Sequence, residues 1–541
     1  MKANLLINTL FIYLGIINAV AQSGTLDTTF GTSGKVTTSL STTNITSDII
    51  YSTIIQPDGK ILTAGTSLET ARYKFALARY LTNGNLDTTF GTAGIVITDI
   101  GVITSGGITV EMKLQLDGKI VVIGTHQDTQ NDLSKIALVR YNSNGTLDAS
   151  FGTNGVVFSN FNNYDNEGNG LFIQANGKIL AATFAFSSNN NNESNYNIFR
   201  YNSNGILDNS FGINGVVSIN LGLNIVNLNS SDVATIIIEL ANGKILVAGK
   251  SDSMPTNGEN NFAIIQLNSN GTLDTSFGTM GKVFIDFSLD DQVAAMQITA
   301  TNKIILGGTL FYNSGANSKI GIVQLNANGT IDTTFGTAGK IITTINSSTN
   351  NDVLEDLQLQ ANGDIIVGGT TQNSNTLIGL DFALVKYFIN GNLDTNFGTN
   401  GFAITDFNNS TEFINSIAIQ SNNKIIATGS FAVSNSKFAL ARYNNVTLSN
   451  TTFNQNISAI SVYPNPVINT SVIEFNLLQN ENITMTLYDT SGKKVQTVVN
   501  NKYFALGKNS ENFKILNTLP SGIYTLVLSN GNNYKSIKII L

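Results

Sequence analysis

The chain has 541 residues, a formal net charge of −7, and 12% charged against 42% hydrophobic residues. This length suits several domains or one large repeat array, and the apolar supply excludes wholesale disorder. The acidic balance argues against a nucleic-acid partner. With no cysteine and a single histidine, His126, the chain cannot use thiolates, cysteine zinc sites or paired imidazoles.

The chain opens on Met1-Lys2, an apolar run from Leu5 to Ile17 and an Ala19-Val20-Ala21 cleavage pattern. These are the parts of a secretory signal peptide, expected over 1–21. The run falls short of the ~20 apolar residues that span a bilayer, and no later stretch reaches that length, so the mature chain is expected to lack an integral membrane segment.

One unit then recurs seven times. The pattern L/I-D-x-[ST/N]-F-G-x-x-G places its phenylalanines at Phe30, Phe90, Phe151, Phe211, Phe277, Phe335 and Phe397, in steps of 60, 61, 60, 66, 58 and 62. A near-fixed period marks a repeat architecture. Each unit carries four strand-like runs; in the second they are Ile95–Thr98, Val110–Leu116, Lys119–Gly124 and Ile136–Tyr141. Asp117-Gly118 between two of these runs signals a tight hairpin, as do Asp58-Gly59, Asn176-Gly177, Asn242-Gly243 and Asn362-Gly363, with Thr301-Asn302 and Asn422-Asn423 as weaker versions. Four strands per radially repeated unit is the plan of a β-propeller. The ends favour a ring over a solenoid. The first motif arrives with only its following strand, Lys35–Ser39, and the last unit, ending at Phe438–Tyr443, lacks that strand. The amino-terminal strand is expected to complete the seventh blade and hide two aggregation-prone edges.

The repeated residues read as structural: Phe between neighbouring blades, Asp accepting backbone bonds in its own turn, glycines at positive φ. Label the strands a to d from the inside. The a–b and c–d connections are near-constant and the b–c and d–a loops vary, so the face bearing the variable loops is expected to meet any partner. Asp48, Asp165, Asp232, Asp291, Asp352 and Glu412 precede the inner strands, and are expected to ring the channel mouth and attract a cation or basic group. His126 reads as a solvated b–c loop residue. Asn163–Gly168 imitates the start of a calcium loop but has Gln174 where a bidentate Glu is needed. No metal, cofactor or catalytic residue is assigned.

The repeats end near Asn445. Residues 446–459 read as a polar linker, and 460–541 as a small antiparallel sandwich with runs at Ser471–Leu477, Ile483–Tyr488, Lys494–Val499, Ser510–Ile515, Gly522–Leu528 and Tyr534–Ile540.

Two resemblances follow from these residues. Over 24 to about 445 the copies of Asn144-Gly145-Thr146-Leu147-Asp148-Ala149-Ser150-Phe151-Gly152 resemble the delta-60 type of bacterial repeat, which implies a propeller and no particular activity. The segment with Tyr463, Pro464, Asn465 and Pro466, then Leu487–Lys493 with Gly492, Leu519–Tyr524 with Gly522 and Tyr524, and the terminal Lys535–Leu541 resembles a type A sorting domain of the type IX secretion system. That resemblance implies recognition by the secretion machinery and passage across the outer membrane of a Bacteroidota-type cell, to its surface or beyond. The expected whole is all-β: a seven-bladed propeller over 22–445 closed by an N-terminal strand, and an Ig-like sandwich. The expected function is a monomeric, secreted or surface-bound, non-enzymatic scaffold for a protein or glycan. The alternative is a polysaccharide hydrolase or lyase with its site at the channel mouth.

Overall fold

A computed structural model describes residues 22–40, 47–69, 72–100, 110–127, 132–162, 164–186, 194–222, 231–252, 259–312, 317–345, 351–372, 379–407, 410–432, 436–445, 457–467, 470–489, 494–514, 519–530 and 534–541. The expected signal peptide and most of the expected linker lie outside them. The chain divides into two compact units, Met1–Val446 and Thr447–Leu541.

The described part of the first unit is all β. It contains seven four-stranded antiparallel sheets, an arrangement consistent with a β-propeller. The first sheet is Asp48–Ile55, Ile61–Glu69, Arg72–Tyr80 and Ile95–Thr98, in that order. Five more repeat this order. The seventh takes Thr411–Ile419, Ile425–Ala432 and Ser436–Tyr443 from the end of the repeats and its fourth strand, Lys35–Thr38, from the beginning. Lys35 stands opposite Ala441 and Thr38 opposite Phe438, the pairing expected from the unequal ends.

The middle strands are buried on both faces. Ile120–His126 and Asn261–Leu267 have no exposed residue, which is why they read as unbroken apolar runs rather than alternating ones. The hairpin glycines between first and second strands sit at positive φ, from 78° at Gly243 to 87° at Gly363, and Asn302 and Asn423 replace them at 60° and 65°. Asparagine tolerates this region better than other side chains. The first strands carry a bulge, as between Ile50 and Ser52. Opposite it stands Gly65, where a Cβ would lie 1.9 Å from the Ile49 carbonyl oxygen. A larger residue would push the bulge out of register.

Every connection between first and second strands spans five residues (56–60 in the first sheet), and every connection between third and fourth spans fourteen (81–94) in the six sheets built from contiguous chain. The other two connections vary: second-to-third from two residues (70–71) to nine (252–260), fourth-to-first from four (286–289) to twelve (99–110).

The second unit has a three-stranded sheet, Ile457–Tyr463, Thr470–Leu477 and Gly507–Lys514, and a four-stranded one, Lys494–Phe504, Glu481–Tyr488, Ile523–Ser529 and Tyr534–Ile540. Both contribute to a single core that includes Ile473, Phe475, Met485, Leu487, Leu526 and Ile539. A strand begins at Ile457, inside the segment expected to be linker; its residues pair with Thr470–Leu477, and that partnership is invisible to local composition.

Removing residues 22–40 takes away the partner of Ser436–Tyr443 and leaves an apolar edge. The truncated propeller is expected to elute as aggregates in size-exclusion chromatography, whereas the chain retaining residue 22 onward elutes as a single species.

Candidate functional site

The repeat corner is an ion-pair centre. The Asp148 carboxylate accepts from the Ser150 N–H (3.1 Å) and hydroxyl (2.7 Å), and its other oxygen meets Arg140 Nε at 2.8 Å and Lys119 at 3.2 Å. The Arg140 guanidinium lies over the Phe151 ring, 4.6 Å from its centroid. The same triad recurs at Arg79–Asp87–Phe90, Arg200–Asp208–Phe211 and Arg442–Asp27–Phe30. Burial by itself would raise the Asp87 and Asp148 pKa values. The Thr89 and Ser150 bonds, the paired lysines and the arginine charge outweigh it and hold both carboxyls well below the usual range. These aspartates are therefore fastened within the scaffold. The arginine was legible in the sequence as an Arg-Tyr pair eleven residues before each of three motif phenylalanines, and as Arg442-Tyr443 at the end of the repeats, but it reads there as part of a strand.

The phenylalanines seal sheet junctions. Phe90 packs with Leu62, Ala64 and Leu77 of the first sheet and Met112, Ile120 and Val122 of the second. Phe30 packs with Ile61, Ala76 and Tyr80 of the first sheet and Ile426, Phe438 and Leu440 of the seventh.

The six acids expected at the channel mouth lie elsewhere. Asp48, Asp232, Asp291, Asp352 and Glu412 have no exposed surface. Asp165 is half-buried, and the buried position in its strand belongs to Asn166. Asp48 accepts from the Leu40 N–H (2.9 Å) and the Ser67 hydroxyl (2.6 Å), and Asp352 from the Ile345 N–H (2.8 Å) and Thr371 hydroxyl (2.6 Å). Asp232 does the same with Leu221 and Ser251. These carboxylates tie the fourth-to-first connection to the second strand, because a short acid at that register reaches both. Asp291 faces Leu310 instead of a hydroxyl residue. It keeps only the Phe287 N–H bond, and burial pushes it up to about 7. His126, expected in solvent, ends a strand. It is buried because its ring stacks on Phe158 with centroids 4.0 Å apart. Asp165 starts a strand, so no calcium loop follows it.

The seven first strands line one cavity of about 870 Å³, and its chemistry is uneven. Tyr51 comes from the first sheet, Glu111 and Lys113 from the second, Glu355 and Asp356 from the sixth. Glu111 is paired with Lys113. Asp356 accepts from Ile417 N–H at 2.8 Å and Leu357 N–H at 2.7 Å, bridging to the seventh sheet. Ser52 performs the same bridge to Met112 N–H at 3.2 Å. Glu355 occupies the bulge and opens to the cavity, enclosed by protein walls. Lost solvation and the neighbouring Asp356 push it up to about 7. Burial raises Asp356 to about 6 against the pull of its two N–H donors and Lys113. Tyr51 is pushed up to about 12 by burial, with Tyr73 and Glu355 adding to it. No sequence pattern singled out this cluster: Tyr51 and Glu355 hold the same bulge position of their strands, eight residues before Gly59 and Gly363, but the residue type there changes from repeat to repeat.

In the second unit two of the residues expected to carry the sorting signal, Asn465 and Gly522, hold the terminal strand. Asn465 accepts from Ile540 N–H (2.9 Å) and donates to the Lys538 carbonyl (3.2 Å), while Gly522 and Leu541 exchange two backbone bonds. Tyr463 donates to Glu474 (2.7 Å), Pro464 accepts from Ser471 (2.7 Å), Tyr524 donates to the Pro520 carbonyl (2.8 Å) and Lys535 to that of Ile457 (2.9 Å). Both Tyr463-Pro464 and Asn465-Pro466 are cis. Gly492 lies outside the described residues.

The two classes of carboxylate predict opposite pH effects. Asp291, Glu355 and Asp356 hold protons in the folded state that the unfolded chain releases above its ordinary carboxyl range, so stability rises as pH falls from about 7 towards about 4.5. The corner aspartates act in reverse, and their contribution is lost once pH drops through and below the unfolded value near about 4. Calorimetry is expected to give a maximal Tm near pH ~5; a profile flat from there to pH ~8 would contradict the raised carboxyls.

Comparison with known proteins agrees with this architecture. A family model described as a domain of unknown function (DUF5122) beta-propeller matches residues 56–90, 115–151, 174–211, 240–277, 299–335, 360–397 and 420–446. A secretion system C-terminal sorting domain matches 461–541. Among curated proteins none matches the chain. Solved structures similar to it include an acylaminoacyl peptidase of Pyrococcus horikoshii (9% identity, TM-score 0.39, covering 79% of this chain). The chain spans 57% of that peptidase's length. Others are an endo-arabinase of Bacteroides thetaiotaomicron (11%, TM-score 0.27, 57% of this chain and 96% of that one) and an alpha-L-arabinanase of Penicillium chrysogenum (12%, TM-score 0.32, 75% and 98%). Among the described residues no helix is long and apolar enough to cross a membrane. The chain thus carries seven repeats of the DUF5122 β-propeller family followed by a type IX sorting domain, which directs it to the cell surface or outside.

Proposed function

We propose that this chain is an exported propeller of the delta-60 type that binds an extracellular protein or glycan. Residues 1–21 are removed as a signal peptide, 22–445 form a ring closed by the N-terminal strand, and 460–541 form an Ig-like sandwich read by the secretion machinery. The mature protein is a monomer and needs no cofactor to bind. The uneven channel carries this reading. Six of the repeats could have supplied identical linings, yet Tyr51, Glu355 and Asp356 gather in a cavity otherwise lined by apolar and neutral polar side chains plus Glu111, Lys113 and Lys250. Asp356 is bound to two backbone N–H groups and Glu111 to Lys113. That leaves Glu355 and the Tyr51 ring to meet a ligand, with the variable loops around the opening to select it.

One observation favours the second reading, a polysaccharide hydrolase or lyase. A carboxyl held near 7, as Glu355 is, suits a general acid. Glycoside hydrolysis needs a second available carboxylate, and the engagement of Asp356 and Glu111 weighs against it.

A glycan array and a pull-down with the mature chain test the proposal. Glu355→Gln is expected to weaken the captured ligand about tenfold or more, the value of one charged hydrogen bond. Equal capture by the variant would remove the channel from the argument, and sugar release from a polysaccharide panel that the variant abolishes would favour the enzyme. Separately, deleting Lys535–Leu541 removes the strand that Asn465 and Gly522 hold. The truncated chain is expected to accumulate in the periplasm, as read by fractionation and immunoblotting; normal export would sink the sorting role of that strand.

A further inference from the structure

Repeats that share a backbone allow a position to be compared with six internal controls. The residue just before the fourth-strand partner of the third strand is Lys74, Lys135, Asn195, Asn261, Lys319, Asp381 and Lys437 in the seven sheets. Only the sixth has an acid. In the first sheet this lysine pairs across the strands with Asp99, 3.6 Å away. Asp406 occupies the place of Asp99 in the sixth sheet, so the sequence there sets acid against acid. The seventh sheet adds Glu412, where four other first strands carry the shorter Asp. Carboxylate oxygens of Asp381, Asp406 and Glu412 all lie within 4.8 Å of one another.

Glu412 supplies an independent observation. It has no exposed surface, and neither of its oxygens receives a hydrogen bond of normal geometry. Asp48, Asp232 and Asp352 each find a hydroxyl on the second strand; Glu412 faces Phe431. Nearby, the Phe407 N–H and the Ser410 hydroxyl only partly offset burial and the charges of Asp406 and Asp381, and the carboxyl is pushed up to about 8. Lys35 Nζ bonds the backbone carbonyl of Asp406. A buried carboxylate left in this state costs stability unless a cation joins it.

We propose that Asp381, Asp406 and Glu412 bind a calcium ion at the junction of the sixth and seventh sheets, on the face of the variable loops. The donors are all hard oxygens, which excludes a preference for zinc or copper. Oxygens that all lie within 4.8 Å of one another can be reached together by one ion with bonds of about 2.4 Å, the length calcium takes in its flexible oxygen shells. The ion takes the electrostatic place of the lysine found at this position in four of the other sheets.

Isothermal titration of the mature chain with calcium chloride, with magnesium chloride in parallel, tests this. One calcium per chain is expected, with Kd about 0.1–1 mM as in extracellular modules, together with a Tm that rises with calcium and falls back with chelator. Asp381→Lys restores the residue of the other repeats. It is expected to weaken binding at least about tenfold while abolishing the calcium dependence of Tm. If circular dichroism finds that variant unfolded, Glu412→Gln, which keeps shape and removes charge, is expected to give the same loss. No heat and no change in Tm up to about 10 mM calcium would mean that Glu412 is simply neutral and would overturn the proposal. Undiminished binding by a folded variant would overturn it equally, by placing the ion elsewhere.

Discussion

The propeller depends on one backbone hydrogen bond made seven times. The glycine N–H of each Phe-Gly turn donates to a carbonyl at the corner of the next repeat: Gly31 to Asn83, Gly91 to Asn144, Gly152 to Asn204, Gly212 to Asn270, Gly278 to Asn328 and Gly336 to Asn390. The last, Gly398, donates at 2.8 Å to Ser23, so the amino-terminal segment supplies the seventh corner. The bond demands a backbone that no side chain tolerates. Gly91 has φ of 52°, and a Cβ there would lie 2.3 Å from the Ile95 carbonyl oxygen. The Arg–Asp–Phe triad brackets this bond. In the four sheets that have it, the guanidinium reaches the carbonyl of the residue before the accepting asparagine or its equivalent, as Arg79 does to Ser143 at 2.7 Å.

This linkage explains where the protein can vary. The fourteen-residue connection that makes the corner is constant because its length sets the distance between neighbouring sheets. The opposite connections bond to the next sheet only in places, as Asn260 does to the Asp291 N–H, and change freely in length. A scaffold so regular makes its exceptions informative. Asp291 and Glu412 without a hydroxyl across the strand, Asp381 in place of lysine and Glu355 at a bulge are departures from rules that most other repeats obey. Each buries or encloses charge that the fold itself does not need.

The second unit uses a different logic. Its four-residue Tyr463–Pro466 turn is remote in sequence from Tyr534–Ile540, yet Asn465 and Val467 both bond to that strand. The Tyr463–Pro466 segment and Gly522 thus meet at the terminal strand, which lies at the edge of its sheet.

Period, hairpin positions, strand count and the pairing of unequal ends were legible in the amino-acid sequence, because backbone geometry acts locally and was written seven times. Turn glycines announce themselves by φ, and doubly buried strands by unbroken apolar runs. The sorting segment was likewise legible from motif order. The chemistry was not. Asp48 and its relatives looked like a ring of exposed charge, but a hydroxyl on the adjacent strand and an N–H from the preceding connection draw them inward. His126 looked like a loop residue until Phe158 covered it. Glu355 and Tyr51 are 304 residues apart, and Lys35 and Asp406, in another junction, 371. Which charges meet, and which are left without partners, depends on distances across sheets, and only the assembled tertiary structure sets those.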